Sequence, residues 1–389
     1  MLARLGACLA ALLLALLVSG CSHPAAREIS MLPIPAGEGQ DLGLGPGVRP
    51  LSSGPGYKGS PAWSSDGSRM AFTMDGYAIE QEDVGAGRES WRSTKDIGAR
   101  QVEWLSGGSL VALDPEDKAL YFIDARGDAL QARKISERVL AFSPLPGRGS
   151  VIAALERGPS RSTLALSLGE RLVTYAGVRV PGRISSVSVS PDGRLALLAS
   201  APPGETAASD IYAFDLQSRT LEKVAGLTNG LLVLGAPQWT ARGVYFVAKS
   251  EAAPKRESPG LYGLYRIPPG KNRPELDPDV GRDFAASGIQ ISPDGSRLAV
   301  IGRLHPNSPA NLYVLDLATG ELRAATKNEG MEIKPGPGDL AWNPDGESIA
   351  IVARGVFSGP RVEDVPAEAL LREFYNLYEV PLPTPEAGR

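Results

Sequence analysis

A short phrase that recurs along the chain constrains its fold more than any other feature. It reads WSSDG at 63–67, VSPDG at 189–193, ISPDG at 291–295 and WNPDG at 342–346. Each copy is followed by an apolar stretch: RMAFTM at 69–74, RLALLA at 194–199, RLAVI at 297–301 and SIAIV at 348–352. The chemistry is that of a tight hairpin. Ser or Asn bonds back onto the turn backbone, Pro presets φ near −65°, and Gly supplies the positive φ that closes the turn. The apolar stretches then read as strands buried on at least one face. Self-similarity at this period marks a repeat architecture.

Degenerate copies extend the series. Taking the apolar residue before each turn as an anchor gives Trp63, Trp104, Phe142, Val189, Trp239, Ile291 and Trp342, spaced by 38 to 52 residues. That spacing matches a four-stranded propeller blade with variable loops. A second phrase follows most hairpins: ALYFID at 119–124, TLALSL at 163–168, DIYAFD at 210–215, GLYGLY at 260–265, NLYVLD at 311–316 and NLYEVP at 376–381. Its period-two alternation suits a third strand, half buried between blades. In the first blade the weak candidate is Tyr77–Ile79. A turn at 318–320 and the short stretch 321–325 supply the pattern for an outer strand.

Together the two phrases resemble the TolB-type, WD-like β-propeller repeat over residues 57–381. The resemblance implies an all-β fold of four-stranded blades. Seven anchors predict seven blades; six with one irregular insertion is the alternative, because TolB itself has six. The last blade runs out after Pro381 without an outer strand. Residues 28–34 (EISMLPI), followed by AGEG, resemble the 321–325 strand with its KNEG, and are predicted to complete the last blade and close the ring. Residues 35–59, rich in Gly and Pro, read as an extended loop. The stretch 364–374 (DVPAEALLREF) has a capping Asp, an early Pro and apolar residues at helical spacing, and is expected as a helix packed on the propeller.

The N-terminus carries an address. Arg4 precedes an apolar run from Leu5 to Val18, too short for an ordinary spanning helix. The run ends in LVSGC at 17–21, which resembles the lipobox of bacterial lipoproteins. The resemblance implies a signal peptide over 1–20, lipidation of Cys21, a tether over 21–27 and a single propeller domain over 28–389. It also implies a membrane partner, since several acyl chains hold a protein on a bilayer surface without spanning it. The expected location is the exported side of a cell or outer membrane. Ser22 after the cysteine resembles the outer-membrane default, and no later stretch approaches eighteen consecutive apolar residues.

Of the two cysteines, Cys8 falls in the leader and Cys21 would carry lipid, so the expected folded part has no disulfide, thiolate site or cysteine nucleophile. The two histidines are His23, in the tether, and His305, in a Pro-flanked loop. A Ser-His-Asp triad would need His305, but no G-x-S-x-G elbow supplies a nucleophile. The hydrolase half that follows related propellers in prolyl-oligopeptidase-type enzymes is absent from this sequence. Carboxylates at 114–117 (DPED) and 277–283 (DPDVGRD) are candidate calcium ligands, but neither follows a calcium-loop spacing. Asp66, Asp192, Asp294 and Asp345 occupy equivalent turn positions, which geometry explains without catalysis. No cofactor motif is present, and 40 basic against 44 acidic residues give no basic footprint for nucleic acid. The resulting expectation is a non-catalytic, membrane-anchored scaffold for protein partners in the bacterial envelope. The alternative is a propeller whose central channel binds a small molecule or glycan, or catalyses lyase or lactonase chemistry.

Overall fold

The computed structural model describes residues 44–45, 47–52, 56–82, 90–127, 130–169, 171–202, 210–226, 231–250, 262–281, 284–305, 308–328, 331–334, 336, 338–354 and 375–382. These form a seven-bladed β-propeller. Each blade is an antiparallel sheet whose strands run outward from the axis, in chain order in every blade but the last. The innermost strands are Lys58–Trp63, Gln101–Leu105, Val139–Pro144, Arg183–Val189, Leu231–Thr240, Ala285–Ile291 and Leu340–Trp342. Each packs on the innermost strand of the blade before and after it, and the seventh packs on the first. Every anchor read from the sequence lies on one of these seven strands, which decides for seven blades over six.

The hairpin phrase makes the predicted bonds. In blade 1 the Arg69 N–H donates to Ser64 Oγ (2.9 Å), and Asp66 Oδ1 accepts from the Ser64 hydroxyl (2.6 Å) and the Ser68 N–H (3.1 Å). Blades 4 and 6 repeat the pattern, with the Leu195 and Arg297 N–H groups donating to Ser190 Oγ and Ser292 Oγ at 2.9 Å. Gly67 closes its turn at φ +71°, a left-handed conformation that a residue with a Cβ adopts only at a cost. These bonds hold the Asp66 carboxyl down at about 2. The turn aspartates therefore serve the turns.

Second strands such as Ser109–Asp114, Leu195–Ala201 and Ser348–Arg354 are buried along nearly their whole length. Blades stack face to face, so these strands are covered on both sides. The core is accordingly divided into apolar clusters between blades, for example Val102, Leu110, Ala112 and Tyr121 of blade 2 against Ala62, Ala71 and Ala78 of blade 1. The third-strand phrases fall where expected, with Ala119–Asp124, Asp210–Asp215 and Asn311–Asp316 matching residue for residue. Tyr77–Glu82 is the third strand of blade 1.

Ring closure corrects one expectation. The last blade does take its outer strand from the N-terminal side of the chain, but the segment paired there is Arg49–Pro50, antiparallel to Tyr378 and Glu379. Residues 28–34 lie outside the described residues, as do Cys21 and the helix expected at 364–374. Two residues are too few to show alternation, and Pro50 reads as loop although edge strands accept proline. Buried Val48 and Leu51 flank the pair. The Leu51 N–H donates to Leu377 O (2.8 Å), the Leu377 N–H to Ser52 Oγ (2.9 Å), and Arg49 pairs with Glu379. No helix among the described residues is long and apolar enough to cross a membrane.

Candidate functional site: the central channel

Seven inner strands converging on one axis leave a channel, the natural ligand position in this fold. One mouth opens into a cavity of about 570 Å³, lined by the first residues of the inner strands and the loops before them, including Ser60, Arg100, Gln101, Ser186, Gly235 and Asp339. Farther along the same strands lies a cavity of about 300 Å³ that adds Glu103, Ser143, Ser188, Gln238 and Gln290.

Several polar groups of this wall are engaged between blades. The Val102 N–H donates to Ser60 Oγ (3.3 Å), Arg100 to Leu140 O (3.3 Å), and Ser186 Oγ to Gly235 O (2.8 Å). Ser188 donates to Pro237 O, and the Ile291 N–H to Gln238 Oε1 (3.4 Å). The Trp342 N–H and indole N–H donate to Gln290 Oε1 (3.0 Å) and Gln290 O (2.9 Å), and the Trp63 indole donates to Ala341 O (3.3 Å). Strands that share no sheet are thereby joined through side chains, which also satisfies polar groups held away from bulk water.

Two further charged features stand in this wall besides Arg100. At the mouth, Lys334 Nζ lies 2.9 Å from Asp339 Oδ1 and 4.4 Å above the Tyr57 ring. Burial pushes the Asp339 carboxyl up, and Lys334 draws it back. Two glycines make room for the pair. A Cβ at Gly59 would lie 2.8 Å from Lys334 Nζ, and one at Gly336 only 1.9 Å from Asp339 Oδ2. Deeper in, Glu103 accepts one hydrogen bond, from Gln101 Nε2 at 3.3 Å. Burial pushes its carboxyl up to about 7. No Lys or Arg among the described residues forms an ion pair with it.

The other sequence candidates sit away from the axis. Asp114 Oδ1 accepts from the Glu116 and Asp117 N–H groups (2.8 and 3.3 Å), and Asp277 Oδ1 from those of Asp279 and Val280 (3.0 and 3.2 Å). Both cap turns. Asp279 pairs with Arg242 at 2.6 Å. The His305 backbone N–H and carbonyl bond the Ser308 hydroxyl in an exposed loop. The sequence reading missed the basic residue after the hairpin phrase. Arg69 stacks over Trp104 of the next blade at 4.4 Å, and Arg297 over Trp342 at 5.0 Å. Its signal was present, because each Arg stands two residues beyond the turn Gly.

The fold defines the chain as a seven-bladed β-propeller, and solved structures similar to it include a β-propeller domain. The chain is similar to oligogalacturonate lyase of Vibrio parahaemolyticus, with a TM-score of 0.56 and 12% identity, covering 92% of this chain and 98% of that one. It is also similar to the Cps50 (Swd1) β-propeller domain of Myceliophteria thermophila, with a TM-score of 0.52 and 14% identity over 86% and 100% of the two chains. The TolB-designated protein of Agrobacterium tumefaciens aligns with a TM-score of 0.45 and 12% identity over 87% and 97%. No protein-family model matches the chain, and no curated protein matches it by sequence. At such identities the likeness concerns fold alone.

Proposed function

We propose that this chain is a lipid-anchored propeller of the bacterial envelope, held at a membrane by Cys21, that docks protein partners on its faces. One observation carries the reading: six polar residues of the channel wall, Ser60, Arg100, Ser186, Ser188, Gln238 and Gln290, are engaged in joining blades. A wall employed in this way makes a rigid ring, and rigidity suits a platform whose specificity resides in its exposed loops. The lipobox-like LVSGC at 17–21 adds the address. The test pairs acyl labelling of the wild type and Cys21→Ser with crosslinking and pulldown from membranes. The reading expects label and membrane retention lost in Cys21→Ser, and a reproducible partner crosslinked to the wild type. Absence of any partner, together with thermal stabilisation by a soluble ligand, would overturn it.

Glu103 favours a second reading, a channel ligand. It is a carboxyl with a single neutral donor in a cavity of about 300 Å³. A ligand bringing an ammonium or hydroxyl donor fits it. Ligand-induced stabilisation that disappears in Glu103→Gln would select this reading over the first.

A further inference from the structure

The chain as a whole is slightly acidic, yet residues 126–194 hold eleven Lys and Arg against five Asp and Glu. Blade 3 lies within this stretch, and its outer edge departs from the regular blade. The fourth strand ends at Thr174. Tyr175 then turns inward and packs edge-on against Phe214 of blade 4, with ring centroids 4.9 Å apart. The chain arcs outward and returns as Val180–Pro181, which pairs with Arg161 and Ser162 of the third strand. Buried Val178 and Val180 pin the arc. So do the bonds from Thr163 Oγ1 to Val178 O (2.8 Å) and from Ser162 Oγ to Gly182 O (3.0 Å).

The arc encloses a cavity of about 340 Å³ whose lining includes Arg157, Arg161 and Arg179 and no carboxylate. All three arginines are exposed, and among the described residues none forms an ion pair or side-chain hydrogen bond. Glu156, the acid next to them in sequence, is engaged by Lys118 at 2.9 Å. By contrast, Arg126 and Arg194 in the same stretch take carboxylate partners, Asp124 and Asp215. Three like charges around one concavity repel one another unless an anion joins them. The backbone is open as well. A Cβ at Gly158 or Gly177 would meet nothing within 4 Å. Within residues 176–179, only the Val178 N–H has a backbone acceptor among the described residues, Tyr175 O at 3.3 Å.

We propose that this cavity on blade 3 is an anion site that takes a phosphate group, gripped by Arg157, Arg161 and Arg179. Guanidinium forks match phosphate oxygens bidentately, and the unpaired amides of the arc add donors of the kind that cradle anions. The phosphate belongs either to a soluble phosphoester or to a lipid headgroup, and both present the same oxygens. The site is separate from the channel and does not depend on its reading.

The test uses the full lipidated protein in neutral detergent, with thermal unfolding as the readout. One arm titrates inorganic phosphate and glycerol phosphate against chloride at matched ionic strength. The other compares mixed micelles containing phosphatidylglycerol with micelles containing phosphatidylcholine. Arg157→Gln/Arg179→Gln is set against the charge-matched Lys271→Gln/Arg273→Gln on blade 5. Arg157→Lys/Arg179→Lys keeps the charge and removes the forks. The expected result is a saturable rise in Tm of about 2–4 °C at ten times Kd. It should vanish in the Gln variant, weaken at least several-fold in the Lys variant and persist in the blade 5 control. A response to the soluble anions assigns the site to a free phosphoester, and a response to phosphatidylglycerol alone assigns it to a headgroup. No response in either arm, or an equal response in the Gln variant and the blade 5 control, overturns the proposal.

Discussion

Replacing Glu103 by glutamine tests the electrostatics of the channel directly. The carboxyl is held by burial at about 7 instead of its ordinary 4.5, so the folded protein keeps a proton there that the unfolded chain has already lost. Between those two values the folded state binds more protons than the unfolded state, and stability falls as pH rises. The whole interval corresponds to about 3 kcal/mol for a fully dry group, and channel water that reaches the side chain lowers this to about 2 kcal/mol. The contribution is fully present below pH 4.5 and is lost as pH passes through 7. Glutamine has the shape of the protonated acid and can still accept the hydrogen bond from Gln101, so it lacks this slope. Urea unfolding of both proteins at pH 5 and pH 8 provides the assay, because the other titrating groups cancel in the difference. The two should be nearly equal at pH 5, with Glu103→Gln the more stable by about 2 kcal/mol at pH 8. Parallel pH profiles, or a wild type that gains on the variant as pH rises, would refute the assignment of a half-buried carboxyl raised above its ordinary value.

Other perturbations separate packing from charge. Lys334→Met leaves the buried Asp339 carboxylate without its cation and should cost about 3–5 kcal/mol in chemical denaturation, with most of that recovered in Lys334→Met/Asp339→Leu. Gly182→Ala puts a Cβ 1.9 Å from Ala201 O at φ +83°, so unfolding should show a loss of at least about 3 kcal/mol and a falling yield of folded protein. Ser292→Ala removes the hydroxyl that accepts from the Arg297 N–H and donates to Asp294, and should cost about 1 kcal/mol in thermal unfolding without altering the blade count seen by scattering.

The architecture was legible because local chemistry dictates it. Ser64, Asp66 and Gly67 act within one hairpin, and the tyrosine-centred phrase around Tyr313 is apolar through its middle because this third strand is buried on both faces. These are short-range constraints, and they repeat. What escaped the sequence depends on residues brought together by ring closure. Glu103, Gln238 and Gln290 meet in one cavity from blades 2, 5 and 6, and no local spacing relates them. Arg49–Pro50 looks like loop because its pairing partner lies more than three hundred residues away. The arginine pocket needs the inward turn of Tyr175, which shows only once the Phe214 ring is in place. By contrast, the stacking of Arg69 on Trp104 was within reach, since both residues hold repeat positions.

Blade 7 joins Arg49 to Glu379 and so gives the chain a timetable. As the polypeptide is made, each of the first six blades can form once its own strands are available, but Arg49–Pro50 must wait for the final strand, Tyr375–Pro381. Until then the circle is open, with the unpaired edge of a nascent blade on one side and an uncovered apolar face on the other. Such surfaces are where incomplete chains aggregate or are cleaved. Closure therefore depends on a pairing across more than three hundred residues, the kind of long-range contact that slows folding. A chain cut short anywhere before residue 375 is a broken arc in place of a slightly shortened ring.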